Sequence, residues 1–136
     1  MKINYWLVKS EPGEYSWDDF LKLGRDHWDG VRNYQARNNL KSMAIGDRVL
    51  FYHSGSEKAV VGIAEVVSEH YPDPTTDDDR WVVVDLVPVS VLNKPVTLKE
   101  IKADPALSDI HLIRNSRLSV MPLEKEAYEN IVQKAG

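Results

Sequence analysis

Short runs of β-branched and aromatic residues, each stopped by glycine, proline, serine or aspartate, set the kind of fold this chain can adopt. Ile3 to Lys9 (INYWLVK), Arg48 to His53 (RVLFYH), Val60 to His70 (VVGIAEVVSEH), Trp81 to Val91 (WVVVDLVPVSV) and Leu118 to Met121 read as strands. The polar tip Ser54 to Lys58 between the second and third predicts a hairpin. Pro88, which has no N–H to donate, places the fourth at an edge or a bulge. Short helices fall between the strands. Ser16 with Asp19 forms a capping box before Phe20, Leu21 and Leu23, and Gly24 ends the turn. Ala36, Leu40 and Met43 have helical spacing from about Tyr34 onward. Thr97 with Glu100 opens a further helix, and Leu123 to Lys134 reads as a last one with Ala127, Ile131 and Tyr128 inward. Strands joined by short helices, with Val60 to His70 long enough to bend and pair twice, predict an α+β fold: a small, mostly antiparallel β-barrel decorated by helices.

At 136 residues, with no linker, repeat or low-complexity stretch, the chain is expected to be one domain over 1–136. It contains no cysteine, which removes disulfides, thiolate metal sites and a cysteine nucleophile together, and suggests a reducing compartment. The apolar run near the N-terminus is too short for a signal peptide or a membrane span, so a cytoplasmic protein without membrane partners is expected. The net charge of −4 argues against a protein that coats nucleic acid by neutralising many phosphates. The charge is uneven, however. From Trp28 to Lys58 five basic residues (Arg32, Arg37, Lys41, Arg48, Lys58) face three acidic ones, whereas Asp73 to Asp79 holds four aspartates. A local, modest nucleic-acid contact on one face is compatible with that pattern, with the acidic loop expected to point elsewhere as a solvated turn.

No phosphate-binding glycine loop, nucleophile elbow or paired-histidine helix is present. His27, His53, His70 and His111 lack the i, i+4 spacing of metal ligands, so neither a metal nor a cofactor is expected. A serine-histidine-acid set could be drawn from Ser54, His53 and an aspartate, but almost any sequence offers such a set. The dense signal is Trp28-Asp29-Gly30-Val31-Arg32-Asn33-Tyr34-Gln35-Ala36-Arg37-Asn38, too polar for a core element and too aromatic for an ordinary loop. An indole face can stack on a nucleobase while amides satisfy the base edge and an arginine holds the neighbouring phosphate. A core tryptophan followed by a turn asparagine is the other reading of the same residues.

That motif, together with Lys9-Ser10-Glu11-Pro12 after the first strand, Phe51-Tyr52-His53-Ser54, Tyr71-Pro72-Asp73 and Arg117-Leu118-Ser119-Val120-Met121-Pro122, resembles the EVE domain, with the motifs in family order from residue 5 to residue 122. EVE domains belong to the PUA-like barrel group and are similar to the YTH domains that read methylated adenine in RNA. The resemblance implies a non-enzymatic module whose partner is nucleic acid carrying a modified base, methylated or hydroxymethylated cytosine in DNA foremost. It makes Trp28 the stacking wall and Lys9, Ser10 and Glu11 the pocket edge. Asn33 and Tyr34 would add polar contacts, and Tyr52, His53 and Ser54 a floor or rim. Arg32, Arg37, Arg114 and Arg117 would reach the backbone. Either Tyr71 or Trp81 could be a second aromatic wall. An RNA-binding accessory and a nucleotide-processing enzyme using His53 are the alternatives.

Overall fold

The computed structural model describes residues 2–136. Strand β1 (Tyr5–Ser10) lies between β3 (Arg48–His53), to which it is parallel, and β8 (Val120–Leu123), to which it is antiparallel. Strand β4 (Ala59–Val66) pairs antiparallel with β3 and with β7 (Asp85–Thr97), and β2 (Asp26–His27) borders β7 at Leu86 and Asp85. The sheet order is β2-β7-β4-β3-β1-β8, and a separate ladder joins β5 (Tyr71–Pro72) to β6 (Val82–Val83). The architecture is α+β and mostly antiparallel, as the sequence predicts. Because β2 and β8 are not bonded to each other, the barrel is open along one seam.

Strand β4 pairs on both sides, as expected, and bulges at Val61 against β3, but the longer bend is in β7. Its pairing with β4 shifts register between Val60 and Gly62 and again between Ile63 and Ala64, where Pro88 stands opposite Ala64. A proline at a register shift loses no ladder bond, because the bulge has already interrupted the ladder. The run beginning at Trp81 is thus divided, with Val82–Val83 in the small ladder and the rest in β7.

Helix α1 (Trp17–Leu23) carries the predicted capping box: Ser16 Oγ accepts from the Asp19 amide at 3.1 Å and Asp19 Oδ2 from the Ser16 amide at 2.9 Å. Its buried face is Phe20, as expected, with Trp17, whereas Leu21 and Leu23 are exposed. Phe20 stacks on Phe51 at 5.5 Å, and Trp17 meets Phe51 edge-on at 5.3 Å. Gly62 on β4 makes this packing possible, since a Cβ there would come within 2.5 Å of the Trp17 ring. Helix α2 (Tyr34–Ser42) starts at Asn33, whose side chain accepts from the Ala36 amide at 2.9 Å, and buries Ala36 and Leu40. The remaining elements are α3 (Leu98–Lys102), a 3-10 turn at Pro105–Leu107, α4 (His111–Arg114) and α5 (Lys125–Lys134), which buries Ala127 and Ile131. The buried Asp47 carboxylate clasps the start of the chain, accepting from the Asn4 amide, the Trp6 indole at 2.8 Å and the Ala44 amide.

Candidate functional site

The end of β1 and the loop after β2 enclose a cavity of about 440 Å³. Trp28 is the large ring in its wall. The Trp28 amide donates to Val84 O at 2.8 Å, and its ring is held edge-on by Phe51 at 5.5 Å and by Tyr15 at 6.2 Å. Only 8% of Trp28 remains exposed, and that part faces the cavity. Gly30, at φ 76°, turns the loop through the left-handed region that glycine adopts without strain, which brings Val31 inward and Arg32 to the cavity edge.

Asp73 holds this turn in place. Its Oδ2 accepts from the Gly30 amide at 3.2 Å and from Arg32 Nη1 at 3.0 Å, while Oδ1 accepts from the Thr75 amide and hydroxyl. Burial opposes the charge, but the bonds from Thr75, Arg32 and Gly30 together outweigh it and keep the carboxyl at about 2. The acidic loop therefore does not point away from the site, as its composition suggests: its first aspartate is buried and braces the Trp28 segment.

Lys9, Ser10 and Glu11 all line the cavity. Lys9 Nζ donates to Ser116 O at 2.7 Å, and partial burial lowers its pKa. Ser10 Oγ donates to the Tyr15 carbonyl, fixing Tyr15 beside Trp28. Tyr15 is the second aromatic residue of the cavity. Neither Tyr71 nor Trp81 lines it, since Tyr71 bonds Asp85 through its hydroxyl and Trp81 stacks on Tyr34. The Tyr15 hydroxyl is buried without a hydrogen-bond partner, and burial, then the neighbouring Asp26 carboxylate, raise its pKa. It stays protonated.

Glu14, Asp26, His27, Asp29 and Ser119 complete the lining. His27 Nε2 lies 3.1 Å from Asp29 Oδ2 and Nδ1 lies 3.9 Å from Asp26 Oδ1. The cavity thus offers several carboxylate acceptors and the cations Lys9 and Arg32. Such a set suits a heterocycle bearing an exocyclic amino group better than an anionic ligand. Among the described residues no group of three histidine or acidic side chains is placed to hold a metal.

The other residues singled out in the sequence lie elsewhere. His53 Nε2 accepts from the Trp17 amide at 3.0 Å, which puts its proton on Nδ1, 2.8 Å from Glu57 Oε2. It is a buried brace between β3 and α1. Tyr52 is buried beneath Lys9, whose ammonium lies 5.9 Å from its ring centre, and Ser54 donates its amide to Ser10 O. None of the three lines the cavity. Asn33 is spent capping α2. Tyr34 and Arg37 lie outside the cavity on the exposed start of α2, Arg114 pairs with Asp109, and Arg117 is exposed on the loop that contributes Ser119. Tyr15, Glu14, Asp26, His27 and Asp29 were not singled out in the sequence. Tyr15 and Glu14 follow Lys9-Ser10-Glu11 closely enough that proximity to that motif was the available signal.

Comparison with known proteins agrees with the geometry. The family model described as EVE domain matches residues 4–134. Mouse thymocyte nuclear protein 1 is 34% identical, the match covering 95% of this chain and 72% of that one. A crystal structure of an Agrobacterium tumefaciens protein superposes with a TM-score of 0.96 at 45% identity, covering 98% of this chain and 93% of that one. Human THYN1, solved in complex with DNA containing 5-methylcytosine, superposes with a TM-score of 0.88 at 32% identity, covering 97% of each chain.

Proposed function

The chain belongs to the EVE domain family, and from that premise we propose that it is a non-enzymatic binding module that takes a modified base, methylated or hydroxymethylated cytosine in DNA, into the Trp28 cavity. The observation that carries this reading is the cavity wall itself, where the Trp28 ring, braced by Tyr15 and Phe51, is surrounded by carboxylate acceptors with Lys9 and Arg32 at the edge. A base flipped from its strand fits such a wall. Its exocyclic amine meets a carboxylate, and its ring contacts Trp28. Lys9 and Arg32 at the edge face the attached phosphates, and Ser10 and Glu11 set the rim. Binding rather than catalysis is supported by the brace role of His53 and by His27 being engaged with Asp29.

One added methyl contributes only about 0.8 kcal/mol when buried, so discrimination against the unmodified base rests on close fit around that carbon. Among the described residues no helix is long and apolar enough to cross a membrane, and a cytoplasmic location is part of this proposal.

Titration of matched strands with and without one 5-methylcytosine tests the reading. Trp28→Ala is expected to weaken binding of the modified strand by about 1 to 3 kcal/mol, the range for one lost base stack. If the folded variant binds as tightly as the parent, the base is not held against Trp28.

A further inference from the structure

Beside the cavity, on the opposite flank of Arg32, lies a second group of rings and cations. Tyr34, the first residue of α2, is 52% exposed, and its ring stacks on Trp81 at 5.2 Å with 28° between the planes. The Arg37 guanidinium lies 4.9 Å from the centre of the Tyr34 ring. Arg80 lies 5.9 Å from Trp81 and donates to the Tyr34 hydroxyl at 3.1 Å. Arg32, which lines the cavity, also lies 5.7 Å from the Trp81 ring. One side chain therefore belongs to both places, and the cavity mouth continues into a ledge of stacked aromatic rings and guanidinium groups.

The core does not require this arrangement. A large ring left half-exposed at a helix start, between arginines, forgoes burial that its surface could have gained. Arg32 and Arg80 have acidic partners, Asp73 and Asp78. Arg37 has none among the described residues: its nitrogens reach only Asn38 Oδ1 and the Arg80 carbonyl. A cation without a counterion beside an exposed ring matches the chemistry of a nucleotide, with a flat base to stack and a phosphate to pair.

We propose that the Tyr34–Trp81 ledge with Arg37 is a second nucleic-acid contact, which takes the nucleotide adjoining the base held in the Trp28 cavity. This inference rests on the base-binding reading of that cavity. Tyr34 offers its ring to the neighbouring base, and Arg37 meets the phosphate between that nucleotide and the next. The ledge then reads no sequence, because every base has a face to stack. It sets the direction in which the strand leaves the cavity and adds affinity for a strand over an isolated base.

The test uses short single strands with one central 5-methylcytosine, in which the flanking nucleotide on each side in turn is replaced by an abasic spacer that keeps the phosphates. The parent protein is expected to lose about tenfold in affinity when the base on one particular side is removed, the effect of one lost stack. Tyr34→Ala should bind the complete strand about tenfold more weakly and be indifferent to the spacer on that side. Tyr34→Phe, which keeps the ring and loses only the bond from Arg80, should behave as the parent. Arg37→Gln should weaken modified and unmodified strands alike and reduce the salt slope by about one unit. A parent protein indifferent to both spacers, or a Tyr34→Ala variant that still responds to the spacer as the parent does, overturns the ledge. In either event a loss of binding in Trp28→Ala leaves the cavity reading standing. If the parent binds no methylcytosine strand at all, the cavity reading fails and the ledge fails with it.

Discussion

Replacing Asp73 with asparagine keeps the side-chain shape and removes the charge, which isolates the bracing of the Gly30 turn. The asparagine oxygen can still accept from Thr75, but its NH2 group then faces two donors, the Gly30 amide and Arg32 Nη1. One neutral and one charge-assisted hydrogen bond are lost, together roughly 2 to 4 kcal/mol. The Arg32 side chain is 40% exposed and regains water, so the lower end, about 2 kcal/mol, is expected. In urea this appears as a midpoint lowered by about 1 M with an unchanged slope. Affinity for a 5-methylcytosine strand should fall as well, because the turn that presents Trp28 and Arg32 is no longer pinned.

Acid provides an independent check. The carboxyl titrates at about 2 in the folded protein against a usual 3.8, so its folded pKa is depressed. The stability it contributes is complete above about pH 4 and is lost as the pH falls from there towards 2. The variant should lack that part of the acid dependence. An asparagine protein that unfolds at the parental urea midpoint, with the parental acid profile, would refute the bracing role.

His53→Ala should lower stability by about 1 to 3 kcal/mol, since it leaves the buried Trp17 amide without an acceptor, yet change modified-base affinity by less than about twofold in the folded protein. A selective loss of binding at full stability would restore His53 to the site. Gly62→Ala should destabilise by about 1 to 3 kcal/mol through overpacking against the Trp17 ring, read by thermal denaturation, and a neutral result would show that the ring moves freely.

Much of this was legible in the sequence because it is local. The capping pairs Ser16–Asp19 and Thr97–Glu100 and the start of α2 at Asn33 depend on residues a few positions apart. The Trp28 motif could be located for the same reason. The failures are non-local. Nothing near Tyr52, His53 or Ser54 shows that none of them lines the cavity, since His53 is taken up by the Trp17 amide of α1 and Tyr52 is buried beside Lys9. Tyr15 enters the wall through a bond to Ser10, and Asp26, His27 and Asp29 arrive because a two-residue strand docks on β7. Asp73 resembled its solvated neighbours in composition, and only its bonds to Gly30 and Arg32, more than forty residues earlier in the chain, distinguish it.

The placement of β1 has a consequence for synthesis. Tyr5 pairs with Arg48 on one side and with Leu123 on the other, so β1 has one neighbour made soon after it and another made much later. A nascent chain can form β1, β3 and β4, but the Lys9 ammonium has no Ser116 carbonyl to bond and Ser119 cannot close the cavity until the segment leading into β8 leaves the ribosome. Binding competence should therefore appear only once the segment leading into β8 has been made. Chains released before β8 should keep a partial sheet with β1 as an unpaired edge, open to association with other chains and to proteolysis.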